Sequence, residues 1–142
     1  MQNRRRFHTT GVCIPQLHYM VDVSGIVERI VGEYIENGEY FTMNRARQFG
    51  KTTVLEQLYT TLKQDYIVLP VSLESADDCF VSLYAFAQGF VNKVAVALEG
   101  NEVPKEAADI WAEPIARELP LDSLNRKITR FCRACGRNVV LM

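Results

Sequence analysis

The sequence predicts an α/β domain, a parallel sheet flanked by helices, and three observations carry that expectation. Short β-type runs alternate with longer segments of helical periodicity. A glycine turn, Gly50-Lys51-Thr52-Thr53, stands between the first β-type run and an amphipathic stretch. The last residues, 138–142, return to an apolar run of strand character. At 142 residues, 48% hydrophobic and 23% charged, the chain is the size of one compact domain and can bury a core without disulfide or metal staples.

Residues 1–12 carry the run Arg4, Arg5, Arg6 and read as a flexible leader, a solvated tail that has the charge to touch nucleic acid. Residues 14–23 look extended. Ser24 is the expected N-cap of a helix whose apolar positions, Ile26, Ile30, Val31, Tyr34 and Ile35, recur at helical spacing until Asn37-Gly38 stops it. A strand is expected at 40–43. The next helix should run from Lys51 to about Lys63, with Val54, Leu55, Leu58 and Leu62 on one face. A second strand is read at 66–73, shortened or bulged by Pro70, which cannot donate to a sheet ladder.

Residues 80–98 are almost continuously apolar or small and predict a well-buried helix with Val81, Tyr84, Ala85, Val91, Val94 and Ala95 inward. Pro114 and Pro120 divide the following stretch into short helical pieces around Ile110, Trp111 and Ile115. A last helix over 122–135 should turn Leu124, Ile128, Phe131 and Cys132 inward and stop at Gly136. The final run, 138–142, reads as a buried strand.

The net charge of -1 says little about partners. No apolar run approaches the roughly 20 residues of a membrane span, and no signal-peptide core is present, so a cytoplasmic chain with reduced thiols is expected. Cys132 and Cys135 form a C-x-x-C, but a structural zinc site wants four ligands and no second pair is in sequence reach. The two cysteines are expected on one helix without metal.

A phosphate-binding loop needs a strand that delivers the chain to a turn, backbone N–H groups around an anion, and a helix N-terminus facing it. The order around Gly50 meets that description. Gly50 lets the backbone approach a phosphate, Lys51 can reach β- and γ-phosphate oxygens, and the Thr52 hydroxyl can ligate Mg²⁺. Thr53 adds a hydroxyl at the α-phosphate, and Gln48 and Phe49 complete the turn, Phe49 as packing beneath it. The usual pattern G-x-x-x-x-G-K-[ST] has glycine where this chain has Arg45. Arg45 and Arg47 carry guanidinium forks suited to phosphate oxygens or to a carboxylate that ties the loop. The plainer alternative is that Gly50, Lys51 and Thr52 only begin a helix.

Residues 40–55, Tyr-Phe-Thr-Met-Asn-Arg-Ala-Arg-Gln-Phe-Gly-Lys-Thr-Thr-Val-Leu, resemble the variant Walker A segment of bacterial AAA-ATPase-like proteins, in which the loop runs Arg-x-Arg-x-Phe/Tyr-Gly-Lys-Thr. The likeness extends upstream through Tyr19-Met20-Val21-Asp22 and covers residues 13–73. It makes Arg45 an expected feature, and it implies a P-loop NTPase-like fold, ATP rather than GTP, and Mg²⁺. It also implies that 139–142 is the Walker B strand, beside the strand at 40–44, with its acidic residues beyond Met142. Residues 13–142 are then a partial P-loop ATPase domain. Within the chain, Glu74 at the tip of the second strand is the carboxylate best placed to position water.

The implied activity is ATP binding and, in a full-length parent, hydrolysis that drives a conformational switch, with a protein partner or self-association. The alternatives are a regulatory or scaffold module that binds nucleotide with little turnover, and a nucleic-acid-associated module resting on Arg4, Arg5 and Arg6.

Overall fold

The computed structural model describes residues 18, 19, 21–44 and 50–142. The expected leader with Arg4, Arg5 and Arg6, and the expected phosphate-site residues Arg45, Arg47, Gln48 and Phe49, lie outside the described residues. The chain divides into two compact units, Met1–Thr61 and Leu62–Met142.

In the first unit, helix α1 (Ser24–Ile30) continues as a π-helical stretch, Val31–Ile35. The helix is entered one residue earlier than its sequence suggests. Val23, not Ser24, is the N-cap, and the Asp22 carboxylate accepts the Ser24 N–H at 2.9 Å. That carboxyl is held below its usual range by hydrogen bonding from Ser24, side chain first and backbone second. At the other end the Asn37 amide donates to the Gly32 and Glu33 carbonyls at 3.1 and 3.0 Å. Gly38 then takes a φ of +68°, and the Glu39 N–H closes back on Tyr34 at 2.8 Å. The Asn37-Gly38 stop is therefore where the sequence puts it, for the expected reason: a left-handed residue satisfies the last carbonyls.

The strand expected at 40–43 does not form. Phe41 and Met43 are half-buried while Tyr40, Thr42 and Asn44 are exposed, so the alternation of a strand is present, but no ladder accompanies it. β propensity measures fit to a pleated surface and gives no strand without a partner. Here Phe41 packs on Tyr34, with centroids 5.4 Å apart. Helix α2 (Lys51–Leu62) follows, burying Val54, Leu58 and Leu62 as its periodicity predicts.

The second unit carries the sheet. Strand β1 (Ile67–Leu69) pairs in parallel with β2 (Val139–Leu141), Ile67 opposite Val139 and Leu69 opposite Leu141. The parallel pair expected between 40–44 and 138–142 is thus replaced: among the described residues, β2's partner is β1. β1 ends at Leu69 because Pro70 has no N–H, although Val71 still donates to the Met142 carbonyl at 2.7 Å.

A short 3₁₀ turn, Asp77–Phe80, leads to α3 (Leu83–Leu98), capped by the Ser82 hydroxyl, which accepts the Ala85 N–H at 3.1 Å. The helix starts later than the apolar run and leaves Val81 and Ala95 exposed; Ala87, Val91, Val94 and Leu98 form its buried stripe. The 3₁₀ turn packs tightly on α3 at Gly89, where a Cβ would stand 2.2 Å from the Cys79 sulfur. Helices α4 (Lys105–Ala112) and α5 (Pro120–Ala134) complete the unit. Their side chains, with those of α3 and β1, build one core in which Trp111 and Phe131 meet edge to face at 5.3 Å.

The inward positions of α5 also differ from expectation. Cys132 is exposed and Cys135 is buried, while the buried polar residue of α5 is Lys127. Its ammonium donates to the Ile110 carbonyl and, at 2.9 Å, to that of Glu113, satisfying the C-terminal end of α4. Arg130 grips the Glu113 carboxylate through two nitrogens at 2.5 and 2.7 Å. No helix among the described residues is long and apolar enough to cross a membrane.

Candidate functional site

The described part of the predicted phosphate loop begins at Gly50, whose φ of +76° lies in the left-handed region. An added Cβ would meet nothing within 4 Å, so the backbone angle rather than crowding demands glycine. The Gly50 carbonyl accepts the Val54 N–H at 3.0 Å, a backbone bond that leads into α2. Lys51, Thr52 and Thr53 then occupy the first turn of α2, Thr52 exposed and the other two half-buried. A helix leaves its first N–H groups without intrahelical acceptors, and its dipole places partial positive charge there. A lysine and two hydroxyls on such a turn suit an anion, while the strand that a phosphate loop needs before it does not form at 40–43.

Lys51 also borders a cavity of about 380 Å³ contained within the first unit. Ile26, Ile30 and Val54 form apolar wall, the Tyr34 and Phe41 rings stand tilted at 41° to one another, and Arg29 and Asn44 supply polar groups. Arg29 donates through Nε to Glu33 at 3.0 Å, one helical turn on. The Glu33 carboxylate, and after it the Tyr34 hydroxyl, raise the affinity of that guanidinium for its proton. The sequence reading treats Tyr34 and Phe41 as packing and strand residues and gives Arg29 no role. The i, i+4 pairing of Arg29 with Glu33 is the only signal that marks this face in advance.

Of the predicted site residues, Gly50, Lys51, Thr52 and Thr53 stand together. Arg45, Arg47, Gln48 and Phe49 fall outside the described residues. Glu74 belongs to the second unit, exposed in a turn where its N–H donates to the Ser72 hydroxyl at 3.2 Å and Ser75 takes a φ of +57°.

Among the described residues no group of three or more His, Cys, Asp or Glu is arranged to hold a metal ion. Mg²⁺ at a phosphate loop makes a smaller demand, a single protein hydroxyl with phosphate and water oxygens filling the octahedron, and the exposed Thr52 fits that donor set. The C-x-x-C lies at the wrong end of its helix for reactive thiols. Cys132 is in the last turn of α5 and Cys135 is its C-cap; burial, then the neighbouring Cys132, pushes the Cys135 thiol up to about 11, and partial desolvation of its sulfur raises that of Cys132, although the residue as a whole is exposed.

The chain matches no family model, no curated protein and no solved structure.

Proposed function

We propose that the turn at residues 50–53 binds the phosphates of ATP with Mg²⁺, and that the chain belongs to a P-loop ATPase of the AAA-like kind its loop sequence resembles. The observation that supports this reading is the conformation of Gly50, left-handed at the N-terminus of α2 with Lys51, Thr52 and Thr53 in the turn that follows.

In this reading the first-turn N–H groups and the Lys51 ammonium hold the β- and γ-phosphates, and Lys51 offsets the negative charge that collects as the γ-phosphoryl transfers. Mg²⁺, when bound through the Thr52 hydroxyl, supplies further neutralisation of the phosphate oxygens. Hydrolysis then needs a carboxylate to position water, and its timing drives a change of shape.

The test separates two residues that differ in role. Lys51→Ala removes a direct charge and should weaken ATP binding with or without Mg²⁺, by about 10- to 150-fold in a calorimetric titration. Thr52→Ala should be mild without Mg²⁺ and pronounced with it. Unchanged ATP affinity in Lys51→Ala would mean that the turn begins a helix and nothing more.

A further inference from the structure

Charge is unevenly spread along the second unit. From Ser123 to Met142 the chain carries Arg126, Lys127, Arg130, Arg133 and Arg137 and not one Asp or Glu, although the whole chain stands at -1. Lys127 is buried and spent on the end of α4. Arg126, Arg130 and Arg133 follow one another at i, i+4 and i+7, so they form a single exposed stripe on α5, opposite the face that buries Leu124 and Phe131. Arg137 comes after the turn at Gly136 and donates to the Gln64 carbonyl at 2.7 Å, a neutral acceptor that leaves its charge in place.

Two carboxylates face the stripe. Asp122 stands 2.6 Å from Arg126 and Glu113 is gripped by Arg130, both pairs exposed, whereas Arg133 has no ion-pair or hydrogen-bond partner among the described residues. Exposed pairs of this kind hold little energy, so either arginine can exchange its carboxylate for another anion.

Spacing and residue type narrow the partner. The rise from Arg126 to Arg133 is about 10 Å, which matches about three phosphate steps along one strand of a duplex. Arginine and asparagine both contact phosphate oxygens, and Asn125 lies exposed beside Arg126. Between Asn125 and Arg133 the exposed side chains include no aromatic ring to stack on an unpaired base and no large apolar group to enter a bilayer.

We propose that the exposed face of α5 binds the phosphate backbone of double-stranded DNA, without reading its sequence, through Arg126, Arg130 and Arg133. The surface shares no residue with the turn at 50–53 and does not depend on the ATP reading.

Fluorescence anisotropy of a short labelled duplex, titrated with the full chain at several salt concentrations, tests it. Arg126→Gln combined with Arg133→Gln should weaken binding about tenfold or more and flatten the slope of log affinity against log salt by about two. Both side chains are exposed, so the melting temperature should stay in place. Arg133→Lys keeps the charge and should restore binding to within about threefold. Two duplexes of unrelated sequence should bind alike, and Lys51→Ala should leave duplex binding unchanged.

Duplex affinity and salt slope unchanged in the double variant would overturn the proposal, and so would binding that is lost only when Arg4, Arg5 and Arg6 are replaced by glutamine. Displacement of the duplex by poly-glutamate at equal charge would overturn it by assigning the face to an acidic protein. Preference for anionic lipid vesicles would do the same in favour of a membrane surface. No duplex binding by the unsubstituted chain at low salt would end it outright.

Discussion

The two units of this chain put their side chains to different use. In the second, helices α3, α4 and α5 and strand β1 close on a core around Trp111 and Phe131, and even a lysine, Lys127, is drawn inside to satisfy the end of a helix. In the first, among the described residues, α1 and α2 bury Val27, Ile30, Val54 and Leu58 and border a cavity whose lining includes Arg29, Lys51, Tyr34 and Phe41. The second unit resembles a scaffold whose buried polar groups serve packing. In the first, Arg29 is tied to Glu33 and the Tyr34 and Phe41 rings meet at the edge of that cavity.

The comparison would break first at Phe131. Removing a fully buried ring that meets Trp111 edge to face should destabilise the second unit by about 3–5 kcal/mol, read from denaturant unfolding. A cost below about 1 kcal/mol would mean that the core is not where its stability resides.

A smaller effect, on the order of 2 kcal/mol, is expected from alkaline pH. The Cys135 thiol titrates near 9.0 when unfolded and at about 11 when folded, so between those values the unfolded chain has already lost a proton that the folded chain keeps. Stability should therefore fall as pH rises from about 9 to about 11, and Cys135→Ala should remove that slope. Lys127 acts in the opposite sense. Burial lowers its folded value below 10.5, so its contribution rises with pH towards 10.5, and Lys127→Met should show a steeper alkaline loss than the unsubstituted chain.

Gly38 and Gly136 sharpen the comparison by holding backbone strain constant, at φ +68° in the first unit and +64° in the second, each without a steric neighbour. Alanine at either should cost about 1 kcal/mol, and about the same at both, because the strain is local to the residue. The smallest effect belongs to the exposed pair Arg126–Asp122, 2.6 Å apart and one turn apart on α5. Arg126→Ala should change stability by less than about 0.5 kcal/mol in thermal melts, and less still in high salt.

What the sequence made legible was local. Asn37-Gly38, Pro70 and Gly136 each set a boundary through their own backbone chemistry, and the helices α2, α3 and α5 followed from apolar spacing. The left-handed Gly50 at the head of α2 belongs to the same class. What it hid depended on partners distant in sequence. Residues 40–43 have the composition of a strand but pair with no other strand among the described residues, and β2 takes β1 as its neighbour instead. Lys127 goes inward because the carbonyls of Ile110 and Glu113 await it, a demand that its own helical position does not announce. Arg29, Tyr34 and Phe41 line one cavity, with Tyr34 on a π-helical stretch that its spacing does not announce.

The central claim, that residues 50–53 form an anion site, is tested most directly by the backbone amide signals of the ¹⁵N-labelled chain during titration with ATP. The account predicts that the largest shifts fall on Lys51, Thr52 and Thr53, and that inorganic tripolyphosphate reproduces them. Saturating ATP that leaves these three amides unmoved would contradict it.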